Sequence, residues 1–398
     1  MKARKARVAR WAVFGLLVAA LSVVAAGCGG GDDDGDGGTS TSIEGLGSSL
    51  EEIQANAREE GEVNIVQWPG YAQLVDEFKE ATGCTVNTKD GTTSDDMISL
   101  LQTGAYDGVS ASGNASIRLM TTGEVAPIDT DLVPNFADII EGIKDQEYNS
   151  LDGQAYGVPH GRGPNLLMYR TDEVTPAPTS WAAVWDNPNA NKGKISIYDD
   201  SIFIADAAVY LKATQPDLGI TDPYELDEEQ FTAAVDLLKQ LNPNVGEYWV
   251  DYAKQIQSYA NKDSVVGTTW PIQGVLLKGD NQPVELIKPS EGTTGWSDTW
   301  MIYSKAANPN CMYLWMNHMA SPEAQAAVAE GFGEAPVNLK ACDLTKNTEH
   351  CTEYHADDEA WWEDVYYWTT PTADCGDDRG EVCKTQEDWE AAWTEIRG

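Results

Sequence analysis

Glu62-Val-Asn-Ile-Val-Gln-Trp68 leads through residues 71–82 into Cys84-Thr-Val-Asn-Thr88, and this run decides the fold. Its first piece carries β-branched residues at the spacing of a strand. In residues 71–82 the apolar Leu74, Val75, Phe78 and Ala81 recur at helical spacing, and Gly83 supplies the stop. Cys84 opens a second strand, residues 94–102 read as a second helix, and Ala105-Tyr-Asp-Gly-Val-Ser-Ala-Ser112 reads as a third strand running into Gly113 and Asn114. Strand and helix alternate, which predicts an α/β protein with mostly parallel sheets.

Farther along, a strand at 194–198 and helices at 225–241 and 250–260 form a separate middle block. A strand at 296–303 and one long helix with an apolar face at 311–331 can return the chain to the first block. Gly157-Val-Pro159 and the surroundings of Trp296 are the places where the chain can cross. The expected architecture is two lobes, each a mostly parallel sheet flanked by helices, with a ligand cleft between them that hinge motion can close. Residues 50–157 and 298–335 are assigned to lobe 1, and residues 158–297 and 336–398 to lobe 2 and a disulfide-rich tail. The tail carries Trp361, Trp362, Tyr366, Tyr367, Trp368, Trp389 and Trp393 at largely helical spacing, which predicts packing against a neighbour more than a sugar-stacking surface.

At the start, Lys2, Arg4, Lys5, Arg7 and Arg10 precede an uncharged apolar run from Trp11 to Ala26, short for a spanning helix. Residues 1–27 are therefore expected to be a secretory signal. Val24-Ala25-Ala26-Gly27-Cys28 resembles the lipobox of bacterial lipoproteins, which implies a lipid on Cys28; simple secretion and a retained anchor helix are the alternatives. Residues 28–49 begin with a Gly, Asp and Ser stretch that has nothing to bury, so a flexible acidic tether is expected. The formal charge of −38 becomes about −43 once the five leader positives are removed, a field that repels nucleic acid and anionic lipid.

Six cysteines remain in a chain read as exported: Cys84, Cys311, Cys342, Cys351, Cys375 and Cys383. An even number there reads as disulfides. Fifteen pairings are formally open, but Cys342 with Cys351 and Cys375 with Cys383 would each close a short loop, leaving Cys84 with Cys311. A zinc site is disfavoured because no C-x-x-C occurs and the histidines are scattered. No metal or cofactor is expected.

Several stretches, in order, resemble the spermidine/putrescine-binding proteins of bacterial ABC importers. They are Asn64-Ile-Val-Gln-Trp-Pro-Gly-Tyr71, Tyr106-Asp-Gly-Val-Ser-Ala-Ser112, Tyr156-Gly-Val-Pro159 and Pro178-Thr-Ser-Trp-Ala-Ala-Val-Trp185, then Lys192-Gly-Lys-Ile-Ser-Ile-Tyr-Asp-Asp200 and Glu291-Gly-Thr-Thr-Gly-Trp-Ser-Asp298. Ser321-Pro-Glu323 also fits, while the tail after Cys342 lies outside the resemblance. The likeness implies a periplasmic-binding-protein-like fold, a small cationic solute of the polyamine type, and partners in a membrane permease and its ATPase. It implies a protein acting as a monomer outside the cytoplasmic membrane, held there by the lipid or free in a periplasm.

Carried over, it implies a ligand site of Trp68, Tyr71, Ser112, Asp200, Trp270, Trp296 and Asp298, with Glu334 as a further acid. An ammonium group taken from water needs charge-assisted hydrogen bonds, and both its charge and its methylenes gain from aromatic faces. Core packing for the tryptophans and turn or cap roles for Asp200 and Asp298 are the rival readings. This chain departs from the family at Phe203 and Asn114, where an acid and a tyrosine are usual, and at Arg162 in Pro159-His-Gly-Arg-Gly-Pro164. Arg162 could meet an acidic group on an amino-acid derivative or aminophosphonate, or form a structural salt bridge.

A secreted glycoside hydrolase is the rival of another class, since carboxylates and tryptophans also describe its site. The sequence carries no nucleophile elbow, H-E-x-x-H, P-loop or dinucleotide fingerprint, so a receptor and not an enzyme is expected.

Overall fold

A computed structural model describes residues 43–398. The expected signal peptide, the lipid site at Cys28 and the Gly/Asp/Ser tether up to Ser42 lie outside the described residues. Residues 43–49, which the sequence reading placed in the tether, are docked: Ile43 is buried and the Gly47 amide donates to Asn310 Oδ1 at 2.9 Å. Among the described residues no helix is long and apolar enough to cross a membrane.

The opening strand–helix–strand run folds as its periodicity predicts. Glu62–Gln67 pairs in parallel with Thr85–Asp90 on one side and Gly108–Ala111 on the other. Val75–Thr82 and Ser94–Gln102 supply the crossover helices; the first ends at Gly83, whose φ of 88° is cheap only for glycine. Thr299–Ile302 and Gly157–Pro159 complete this sheet as antiparallel neighbours. A second five-stranded sheet has the order Val245–Trp249, Ile195–Tyr198, Val266–Thr269, Leu166–Arg170, Val284–Ile287, the first three parallel and Leu166–Arg170 antiparallel to both of its neighbours. The sheets are thus parallel at the centre of each lobe and antiparallel where the chain arrives and leaves.

The arrivals and departures are the two crossings. Gly157–Pro159 in the first sheet continues through Gly161–Pro164 into Leu166–Arg170 of the second. The return runs from Val284–Ile287 through Thr293–Trp296 to Thr299–Ile302. The middle stretches pair antiparallel with each other and form a third, bridging sheet with Ala335–Pro336 and Val365–Tyr367 at its edges. Two elements differ from the sequence reading. The expected helix over 311–331 is two, Pro309–Met319 and Pro322–Val328, because Pro322 cannot continue a helix and Ser321 caps the new one. In the tail, Val365–Tyr367 is a strand and not helix, its backbone taken up by the bridging sheet.

All three disulfides have the connectivity expected: Cys84–Cys311, Cys342–Cys351 and Cys375–Cys383. The first links residues 227 apart, tying the second strand to the returning helix, whereas the others span 9 and 8. A cross-link constrains the unfolded chain more the longer the loop it closes. Replacing Cys84 and Cys311 together by Ala should lower unfolding free energy by about 4–5 kcal/mol, against about 2–3 kcal/mol for the Cys342/Cys351 pair. Denaturant midpoints of the two double variants check the ranking.

Candidate solute site

The bridging sheet carries the centre of the site. Trp296 ends one of its strands and Asp298 follows two residues later, before the chain enters the first sheet. Beside it runs Gly161–Pro164, whose glycines let side chains lie directly on the backbone. A Cβ at Gly163 would stand 2.2 Å from the Trp296 ring, and one at Gly161 would stand 2.0 Å from Glu334 Oε1. Only glycine leaves room for this tryptophan and this acid.

From the first sheet, Trp68 follows the strand Glu62–Gln67, and the turn at Gly70 delivers Tyr71. Tyr71 donates its hydroxyl hydrogen bond to Asp298 Oδ2 at 2.8 Å, and its ring meets His160 and Phe332 edge-on at 4.4 and 4.9 Å. Ser112 caps the backbone of the helix Gly113–Thr121 and lines the same cavity. From the second sheet, Trp270 follows Val266–Thr269 and meets Trp68 in a T-shaped contact at 5.8 Å. A narrow cavity is therefore enclosed by Trp68, Tyr71, Ser112, Trp270, Trp296 and Asp298, together with Phe332 and Trp368. Six of the nine residues named from sequence converge there.

The electrostatics are unusual for a protein interior. Asp298 is buried, and its Oδ1 has no partner among the described residues. Burial pushes its carboxyl up to about 6, opposed chiefly by His160. Glu334 is also fully buried; its Oε1 meets His160 Nδ1 at 3.3 Å, and its Oε2 has no partner among the described residues. Burial raises the Tyr71 hydroxyl well above its ordinary value, with Asp298 and Glu334 adding to the shift, so it stays a donor. Two buried carboxyl groups thus keep acceptor oxygens unused among the described residues, Asp298 in the aromatic wall and Glu334 behind His160.

The remaining named residues fall elsewhere. Asp200 is half-buried and caps the short turn Ser201–Phe203, accepting from the Ile202 amide at 2.9 Å, and it does not line this cavity. Burial pushes its carboxyl up to about 7. Arg162 is committed to the tail: it donates to Glu359 Oε1 at 2.6 Å and to the Ala356 carbonyl at 3.0 Å, and stacks on Trp362 at 4.3 Å. This is the structural salt bridge. Asn114, at the other departure, accepts from Ser94 Oγ.

Sequence reasoning missed four contributors. His160 and Phe332 pack on Tyr71, and their signal lay in the quoted Pro159-to-Pro164 stretch and just before Glu334. Trp368 follows directly on the strand Val365–Tyr367, and Asp206, one helical turn past Phe203, lines an adjoining cavity that shares Trp270 and Trp368.

The family model for bacterial extracellular solute-binding proteins matches residues 73–359. The chain belongs to this family. The spermidine/putrescine-binding periplasmic protein of Escherichia coli is 26% identical over 296 residues, covering 73% of this chain and 81% of that one. The putrescine-binding periplasmic protein PotF of the same organism is 22% identical over 307 residues, 72% of this chain and 81% of the relative. Among solved structures, a putative spermidine/putrescine ABC transporter protein from Listeria monocytogenes superposes with a TM-score of 0.71 at 19% identity, covering 85% of this chain and 99% of that one. The binding protein MotA of A. tumefaciens, solved with glucopine, gives 0.67 at 19% identity, covering 85% and 100%. The two-lobed α/β fold is that of these solute-binding proteins, and the chain is a receptor of that kind and not an enzyme.

A carboxyl whose folded value is raised favours the folded state when protonated. Its contribution is therefore fully present below its unfolded value near 3.8 and is lost as pH rises through about 6 for Asp298 and about 8 for Asp206. Replacing Asp206 by Asn should leave stability near wild type at pH 4 and raise it at pH 8, with no solute added. Melting curves of both proteins across that range measure the divergence; parallel curves contradict it.

Proposed function

We propose that this receptor captures a small organic cation of the polyamine class, putrescine or spermidine, and hands it to the permease and ATPase of an ABC importer. Cys28 would carry the lipid that holds it at the outer face of the cytoplasmic membrane, and it would act as a monomer. The observation that carries the reading is the buried Asp298, with one unused oxygen, in the wall of an aromatic cavity, backed by the buried Glu334 behind His160. A primary ammonium brings three donors and a positive charge to those acceptors, and its methylenes lie against indole faces. The naming of several relatives after spermidine and putrescine supports the same class. An anionic or zwitterionic solute would need a cation in the cavity, and Arg162 is engaged by Glu359 instead.

Asp298→Asn removes the charge and keeps the shape. Titration calorimetry with putrescine and spermidine should show each bound more weakly by about 1.5–3 kcal/mol, with no change in the melting temperature shift given by a neutral amino acid. Undiminished polyamine binding by the variant would sink the reading.

A further inference from the structure

A second narrow cavity adjoins the first. The two share Trp270 and Trp368, and beyond them the second is lined by Asn165, Tyr198, Phe203, Asp206 and Trp249 among others. Asp206 projects from the first turn of Ile204–Thr214, one turn beyond Phe203, and is buried. Its Oδ1 accepts from Thr294 Oγ1 at 3.0 Å. The Thr294 oxygen in turn accepts from Asn165 Nδ2 at 2.7 Å, so its proton is free for Asp206. The Asn165 Oδ1 acceptor has no partner among the described residues, although Asn165 is 95% buried. No described cation forms a salt bridge with Asp206. Burial holds its carboxyl up at about 8, opposed by Thr294. The result is a pair of acceptors lining a cavity of about 10 Å³ walled by aromatic rings, a costly arrangement unless a donor-rich cation completes it.

A wall common to both cavities is delivered by the tail. Val365–Tyr367 lies parallel to Thr293–Trp296, and the next residue, Trp368, bonds through its amide to the Gly295 carbonyl at 2.8 Å. Its indole stacks on Tyr198 of the second sheet, 5.8 Å between centroids and 13° between planes. Its carbonyl rests on Gly113 at the helix following the first sheet, where a Cβ would come within 1.7 Å. One residue of the tail thus touches both lobes and lines both cavities.

We propose that Asp206 and Asn165 form a second cation subsite for a primary ammonium group, reached past Trp368, so that the receptor takes a diamine with one end at Asp298 and the other at Asp206. The proposal rests on the polyamine reading and deepens it. It assigns to the C-terminal segment a direct part in recognition, as the wall that joins two acidic ends into one elongated site. Phe203 then lines the second cavity as an apolar neighbour, and the acid stands in the first turn of the helix that follows it.

Calorimetric titration with putrescine and with butylamine, on wild type, Asp206→Asn and Asn165→Leu, separates the ends. Asp206→Asn should weaken putrescine about 10- to 100-fold and leave butylamine within about twofold, since the monoamine needs only the Asp298 end. Asn165→Leu should shift putrescine in the same direction by about 10-fold. Equal putrescine affinity in wild type and Asp206→Asn, or equal losses for the two amines, overturns the second subsite while the polyamine reading stands. Failure of wild type to bind either amine overturns the polyamine reading itself, and the diamine site falls with it.

Discussion

Three buried acidic side chains, Asp298 and Asp206 among tryptophans and tyrosines and Glu334 against His160, set the terms for everything else in this molecule. A carboxylate withdrawn from water is expensive unless hydrogen bonds or an opposite charge compensate it. Asp298 has Tyr71 and the neighbourhood of His160, Glu334 has His160, and Asp206 has Thr294. Each is compensated in part, and the raised Asp298 and Asp206 values measure what is missing. Asp298 and Asp206 line adjoining cavities that share Trp270 and Trp368, and Glu334 lies behind His160 next to the first.

Holding three such groups in place requires a rigid frame, and the bridging sheet provides it. Its strands are the crossings themselves, so the backbone that joins the lobes is also the floor of the site. Glycine at 161 and 163 lets Glu334 and Trp296 lie flat against that floor. The long-range cystine fastens the first sheet to the returning helix, and the tail adds an edge strand to the bridge. Arg162, buried and paired with Glu359, pins the tail where it must be for Trp368 to reach Tyr198. Scaffold and candidate site are therefore carried by the same few strands.

Much of this was legible in the residues. Alternating periodicity from Glu62 to Ser112 predicted the first sheet and its helices, and cysteine spacing predicted the connectivity now seen. Trp68, Tyr71, Trp270, Trp296 and Asp298 could be named because they stand at strand ends, where a cleft between lobes is expected, and because the family resemblance marked them. Asp200 shows the limit of that logic, since a strand end also makes a helix cap and the backbone amide of Ile202 claims its carboxyl. Asp206 was hidden inside an apolar helix whose period gives no hint that one face borders a cavity. Trp368 was hidden by long-range pairing: three residues with aromatic character suit a helix or a strand equally, and only the open edge at Thr293–Trp296 decides.

The central claim is that binding draws a positive charge onto carboxyls which the fold holds partly protonated. Proton release is its most direct measure, obtained by titrating the protein with putrescine at pH 6.5 in two buffers of different ionisation enthalpy. A cation stabilises the ionised carboxylate, lowers its pKa and expels the proton, so the account predicts net release on binding, shrinking as pH is raised beyond 8. Heats that give zero release, or proton uptake, over the whole interval from pH 6 to 8 would contradict it.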